Sequence, residues 1–320
     1  MTLNRKYSSK STSGFKQFVL FMVLCFAMLP NNSVLGQQEA QFTHYSFNTL
    51  SVNPAYAGSR DVLTVTALHR SQWVSFPGAP ITQTLNLHSP AFNDKIGLGL
   101  SLINDKAGPL KSTGAHVDFS YKIKVSRKGS LAFGLKAGLD LNGSDLNGLD
   151  VVEANDPNFE QTIQNQISPN FGFGLYYRRP RFYAGFSAPR LLQNASLDLE
   201  VAQRHYYLIA GNIFNINQSG SIKLKPTALV RVTKGAPLQF DITALLYYKD
   251  FLWAGPMFRT TDAFGVLVGV QASDQFSLGY SFDWSYGNST GRLNGGSHEI
   301  LLRYDFFFNN KLKIESPRYF

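Results

Sequence analysis

The sequence predicts an all-β protein: a closed antiparallel transmembrane β-barrel of about fourteen strands, preceded by an N-terminal plug or cap segment. Three observations carry that prediction. Apolar and polar residues alternate with a period of two, as in "SLAFGLKAGLDL", where Leu131, Phe133, Leu135, Leu139 and Leu141 share one face and Ser130, Gly134, Lys136, Gly138 and Asp140 the other. Such segments begin near residues 62, 81, 95, 114, 130, 170, 181, 204, 221, 238, 251, 264, 275 and 297. Each runs for roughly nine to twelve residues, the length with which a tilted strand crosses a bilayer. Finally, the connections alternate between short turns and longer loops, as in barrels with one short-turn rim.

Taken in order, residues 1–36 read as a cleaved signal peptide. Arg5, Lys6, Lys10 and Lys16 precede an apolar run from Phe18 to Leu29, and Val34 and Gly36 are small enough for a cleavage site, placing the mature start near Gln37. The run is too short for a membrane-spanning helix. Cys25 lies inside it, so the mature chain is expected to contain no disulfide. Removing this segment leaves 284 of the 320 residues and takes away four cations and no acid, so the formal charge falls from +9 to +5. A nucleic-acid partner thereby loses its main support.

Residues 37–60 form the plug or cap. They hold "FNTLSVNPAYAGS", an apolar stretch with a central proline and no clean period. We expect Phe47, Leu50, Pro54 and Tyr56 to pack into the lumen, because Gly97, Gly99, Gly134, Gly138, Gly172 and Gly174 fall on the inward face, where a wide water-filled pore has no need of small residues. The barrel is assigned to residues 61–308. Its short turns ("FNDK", "SRKG", "RRPR", "NQSG", "KD", "SD") are expected on the periplasmic side, with both chain termini. The longer connections are expected over 74–80, 104–113, 142–169, 190–203, 233–237, 261–263 and 287–296. Trp73, Trp253, Trp284, Tyr286, Phe306 and Phe308 fall near strand ends, where membrane girdles place aromatic rings. Residues 309–320 are a C-terminal tail, either completing the barrel or lying in the periplasm.

Catalysis finds little support. The six histidines are scattered, and no metalloprotease, paired-cysteine or nucleophile-elbow motif is present. Ser297 and His298 are neighbours in "GSHE" but point to opposite faces of a strand. No enzyme activity, metal or cofactor is expected. Asp145, Asp150, Glu153, Asp156 and Glu160 cluster in one connection without a cation; their spacing fits no Ca²⁺ loop, so they read as a solvated loop open to partner contact. The short turns are basic, at Lys95, Arg127, Lys128, Arg178, Arg179, Arg181 and Lys249. That pattern fits solvated turn charges or a docking rim for a periplasmic partner.

Several segments in the right order resemble one family: "FNTLSVNPAYAGS", "HRSQW", "GAPITQTLNLHSP", "DPNF", "GYSFDW" and "GSHEILLRY". They are similar to the PorP/SprF outer-membrane proteins of the type IX secretion system of gliding and pathogenic Bacteroidota. The matching positions are Asn53, Pro54, Ala55, Tyr56, Gly58, Arg70, Gln72, Trp73, Asp283, His298 and Glu299. The chain departs from the family at His69, where a tyrosine usually stands. The resemblance implies a non-enzymatic outer-membrane component supporting export, docking or surface anchoring of secreted adhesin-like cargo with a C-terminal secretion domain, commonly of type B, and a link to gliding motility. It also implies periplasmic partners: ring components of the machine and a peptidoglycan-binding lipoprotein. The alternative is an outer-membrane channel for small or apolar molecules with an N-terminal plug, against which the charged inward faces argue.

Overall fold

The computed structural model describes residues 39–92, 94–144, 166–192, 203–260, 262–286 and 295–307. The signal peptide, the acidic stretch from Asp145 to Glu160, Phe308 and the tail lie outside these residues. The strands are β1 (Leu63–Ser71), β2 (Ile81–Ala91), β3 (Ile96–Ala107), β4 (Leu110–Ser126), β5 (Gly129–Ser144), β6 (Gln166–Arg179) and β7 (Phe182–Ala188). They continue through β8 (His205–Asn212), β9 (Phe214–Asn215), β10 (Ile222–Thr233), β11 (Gln239–Tyr248), β12 (Leu252–Arg259), β13 (Ala263–Gln271), β14 (Phe276–Ser285) and β15 (Ser297–Phe306).

Each strand pairs antiparallel with its sequence neighbours, and β8 and β9 are two parts of one stave along β10. The last strand returns to the first, in a register running from Leu63 opposite Phe306 to Ser71 opposite His298. The result is a closed fourteen-stave barrel without an open edge, which leaves no strand edge unpaired in lipid.

Burial follows the alternation. In β4, Val117, Phe119 and Tyr121 point outward and are exposed, whereas His116, Asp118 and Ser120 point inward and are buried. In β15, Ile300, Leu302 and Tyr304 face out and Glu299, Leu301, Arg303 and Asp305 face in. A soluble sandwich would show the reverse.

Three expectations are corrected. Residues 104–113 are not a long loop: β3 and β4 continue to a two-residue turn at Gly108 and Pro109, with Gly108 at φ +57°. The hydrophobic alternation stops where lipid contact stops, whereas hydrogen bonding in the ladder continues through Asn104–Lys106 and Lys111–Thr113. Trp253 is not a girdle residue but points inward and is buried. Nor is the inward face uniformly polar, since Leu245, Trp253, Met257, Leu267 and Leu301 build an apolar patch on the inner wall of β11 to β15.

Candidate functional site

A barrel of eight strands is filled by its own side chains, whereas one of fourteen leaves room for more. Here the room is taken by residues 39–62. Their contacts reach inward-facing groups on every side. Asn48 donates to Thr84 of β2 (3.2 Å), Ser120 of β4 donates to the Ala57 carbonyl (2.7 Å), and Ser187 of β7 donates to the Val52 carbonyl (2.6 Å). Tyr45 Oη reaches the Thr227 and Asp241 carbonyls of β10 and β11 (3.1 and 3.2 Å). Only a chain inside the barrel can touch all of these walls.

Such a segment has no solvent face, so its sequence needs no helical or strand period. Locally it forms one short helix, α1 (Thr49–Val52), and a 3-10 turn over Pro54–Tyr56. Asn53 starts the turn: its Oδ1 accepts from the Ala55 N–H (2.9 Å), and Pro54, which lacks an N–H, takes the first position. The Asn53 side chain also donates to the Leu175 carbonyl of β6 (3.0 Å).

The segment runs from rim to rim. Glu39 lies at the rim of the longer connections. There it pairs with Arg190 (3.3 Å) and accepts a hydrogen bond from Tyr207 (2.7 Å), while Arg190 also reaches Asp140 (3.2 Å). Burial alone would push the Glu39 carboxyl up, but Arg190, His205, the Tyr207 hydroxyl and Arg231 outweigh it and hold the group below its usual range.

At the opposite, short-turn rim, Arg60 pairs with Asp305 (2.7 Å), which also accepts from Thr64 Oγ1 (2.7 Å). Burial would lower the Arg60 pKa, yet Asp305 keeps it above its ordinary value. Asp61 follows in the left-handed region (φ +59°) and pairs with Lys122 (3.4 Å) and Arg178 (3.1 Å). Arg178 also donates to the Ser59 carbonyl. Glu39 lies across the barrel from Leu63 and Phe306, because the segment threads the lumen rather than capping one end.

Between the rims a buried charge cluster holds the segment to β1, β14 and β15. Glu299 accepts from the backbone N–H groups of Thr43 (2.9 Å) and His44 (2.7 Å) and bonds His44 Nδ1 (2.7 Å). Arg70 pairs with Glu299 (3.1 Å) and Asp283 (2.8 Å) and donates to Thr43 Oγ1 (2.9 Å), which in turn donates to Asp283 (2.5 Å). All five residues are buried. Charges removed from water must be satisfied by partners of this kind, so the wall and the segment complete one another.

The apolar side chains divide between two walls. Phe47 stacks on Trp253 (4.6 Å between ring centroids), with the Lys225 ammonium 4.9 Å from its ring. Tyr56 meets His88 (5.2 Å) and Tyr176 (5.4 Å) edge-on. Leu50 lies on Gly99, and Pro54 and Ala55 lie on Gly134 and Gly174. At Gly97 an added Cβ would collide with the Ala57 carbonyl, as one at Gly134 would with the Ala55 backbone. Leu50, Pro54 and Tyr56 therefore pack against the β3, β5 and β6 side, and Phe47 against the other.

The structure brings Arg70, Asp283 and Glu299 together, and places Asn53, Pro54, Ala55, Tyr56 and Gly58 on the threaded segment. It leaves three of the motif positions apart. His298 points outward to the Tyr280 hydroxyl (2.7 Å), Gln72 bonds through its backbone to the Pro80 carbonyl (2.9 Å), and Trp73 Nε1 donates to Ser285 (3.1 Å) near the rim. Sequence reasoning missed Thr43, His44, Arg60 and Asp305. The signal available was the inward parity of Glu299, Arg303 and Asp305, buried charges that require partners from outside the wall. Among the described residues no group of His, Cys, Asp and Glu side chains is arranged to hold a metal ion.

A family model described as "Type IX secretion system membrane protein PorP/SprF" matches residues 34–304. No curated protein matches the chain. Similar solved structures include the CymD monoaromatic hydrocarbon channel (11% identity, 85% of this chain and 95% of that one, TM-score 0.47). Others are Omp33 of Acinetobacter baumannii (9%, 78% and 100%, 0.46) and a Pseudomonas aeruginosa FadL homologue (14%, 88% and 97%, 0.43). At such identities and scores these likenesses say nothing of what this chain does.

Proposed function

Because the chain belongs to the PorP/SprF family of type IX secretion system membrane proteins, we propose that it is a non-enzymatic outer-membrane barrel that docks or anchors secreted cargo instead of conducting solutes. The observation that supports this reading is the threaded segment. Residues 39–62 fill the lumen and are held by the half-buried Glu39–Arg190 pair, by the bonds of Thr43 and His44 to buried Glu299, and by the buried Arg60–Asp305 pair. A barrel so filled offers its rims and outer surface, not a pore. In this reading the short turns face the periplasm, the longer connections face outward, and the latter rim, with the acidic stretch from Asp145 to Glu160, receives an adhesin-like cargo bearing a type IX C-terminal domain. Ring components of the machine or a peptidoglycan-binding lipoprotein engage the periplasmic side.

The test has two arms. Deletion of the gene should abolish surface display of a cargo while leaving outer-membrane permeability to small solutes unchanged. The purified barrel in planar bilayers should show no large unitary conductance; high conductance would sink the docking reading. The competing reading, a channel for small or apolar molecules, draws on the inner patch of Leu245, Met257, Leu267 and Leu301. Phe42 and Phe47 already occupy that patch, so a channel would first have to release the segment.

A further inference from the structure

Charge on the short-turn rim is unevenly placed. On the arc from β2 to β7, Lys95, Lys124, Arg127, Lys128, Arg179 and Arg181 are exposed, and among the described residues none has a carboxylate within ion-pair reach. The one exposed acid on these turns is Asp94. Among the described residues of the remaining arc the charges offset one another: Lys223 pairs with Asp250 (2.6 Å), and Lys249 and Asp274 balance in sign.

The basic arc also carries aromatic rings on its outer face. Tyr177 and Phe182 touch (6.3 Å between centroids), and the Arg179 guanidinium lies 6.0 Å from the Tyr177 ring. Phe92 is 77% exposed beside Lys95, and Tyr121 is exposed one strand further on. The β2–β3 turn and the end of β4 are tied together, because the Lys122 N–H donates to the Lys95 carbonyl (2.7 Å).

Unpaired cations interleaved with outward-facing aromatic rings match one chemistry: a phosphodiester headgroup at the boundary between water and hydrocarbon. The rings rest at headgroup depth and the cations meet the phosphate. A soluble acidic protein would approach the turn tips end-on and gain nothing from Phe182 or Tyr177 on the flank. We propose that this arc binds anionic glycerophospholipid, holding a shell of it on the β2–β7 side of the barrel. The proposal rests on the membrane reading of the barrel and not on cargo docking.

The experiment uses the full-length protein, purified and delipidated in nonionic micelles. It is titrated with phosphatidylglycerol or phosphatidylcholine of the same acyl chains and read by native mass spectrometry. Phosphatidylglycerol should be retained at least about tenfold more strongly, given the pull of several basic residues near a charged surface. In the quadruple variant Arg127→Gln, Lys128→Gln, Arg179→Gln, Arg181→Gln, the preference should fall to within about twofold. Lys223→Gln with Lys249→Gln, on the balanced arc, should leave it unchanged. Heat-dependent gel mobility reports folding; if the quadruple variant fails that check, the pairs Arg127→Gln/Lys128→Gln and Arg179→Gln/Arg181→Gln are measured separately. Equal retention of both lipids, or a preference indifferent to the arc, overturns the proposal. A polyglutamate peptide that displaces phosphatidylglycerol from the native barrel also overturns it, and assigns the arc to an acidic protein. Stronger retention of lipid A than of phosphatidylglycerol would likewise overturn the assignment.

Discussion

At Glu299 one carboxylate serves two backbone N–H groups, a histidine and an arginine, all buried. Replacing it with alanine leaves Arg70 with Asp283 as its one carboxylate and strands the Thr43 and His44 amides. Breaking a buried pair from one side costs about 3–5 kcal/mol, enough to raise local opening by two orders of magnitude or more. Glu299→Ala should therefore accelerate amide exchange over residues 41–50 while the strands away from the cluster keep theirs; unchanged exchange there would show that the cluster does not hold the segment. Glu39 yields a pH prediction of definite sign. Its folded pKa lies below the ordinary 4.5, so its contribution is fully present above that value and is lost as pH falls through the folded one. Acidification from pH 7 toward 3 should loosen the Glu39 end, read as faster proteolysis or exchange at residues 39–41, and Glu39→Gln should remove that pH dependence. Neither residue was equally visible beforehand. Strand parity pointed Glu299 inward, but nothing in the sequence around Glu39 marks it, because its partners Arg190 and Tyr207 come from far along the chain.

Individual strands were legible because their period is two and one face meets lipid. Expected starts near 62, 81 and 95 compare with observed starts at Leu63, Ile81 and Ile96. The signal weakened where apolar residues occupy both faces: in "FLWAGPMFR" alternation cannot tell which face Trp253 takes, and the structure turns it inward onto Phe47. It failed for the ends of β4 and β5, 17 and 16 residues long, whose outer parts leave the hydrocarbon and lose the apolar pattern without losing the ladder. The inward glycines of β3 and β5 pose a sharper question, since their lack of a side chain leaves room for the segment's backbone at Ala55 and Ala57. A valine favours strand conformation, so Gly97→Val or Gly134→Val should leave the wall intact and displace the segment. Ala137→Val, on the outward face of β5, adds the same bulk away from it. In planar bilayers the two glycine variants should conduct and the alanine variant should stay closed; three closed barrels would mean the segment tolerates the added Cβ atoms.

Across the whole molecule, the threaded path joins closure of the barrel to placement of the segment. The last seam pairs β1 with β15, and the central anchor and the short-turn-rim anchor both lie on it: Arg70 with Glu299, and Arg60 and Thr64 with Asp305. A segment surrounded by a closed wall and continuous with β1 is most simply placed before that seam zips, because afterwards its upstream end would have to be drawn through a filled lumen. The same path fixes which rim each end reaches. Residue 39 stands with the β1–β2 connection and the start of β8, whereas the turns at Arg127 and Arg181 lie at the other rim. The consequence can be measured on intact cells and on cells with a permeabilised outer membrane. An epitope inserted immediately before Glu39 and a thiol at Pro77→Cys, in the β1–β2 connection, should respond to an impermeant reagent from the same side; Arg127→Cys should respond from the other. If the epitope instead reports with Arg127→Cys, the segment folds back to the rim where β1 begins, and the lumen is capped from one end rather than crossed.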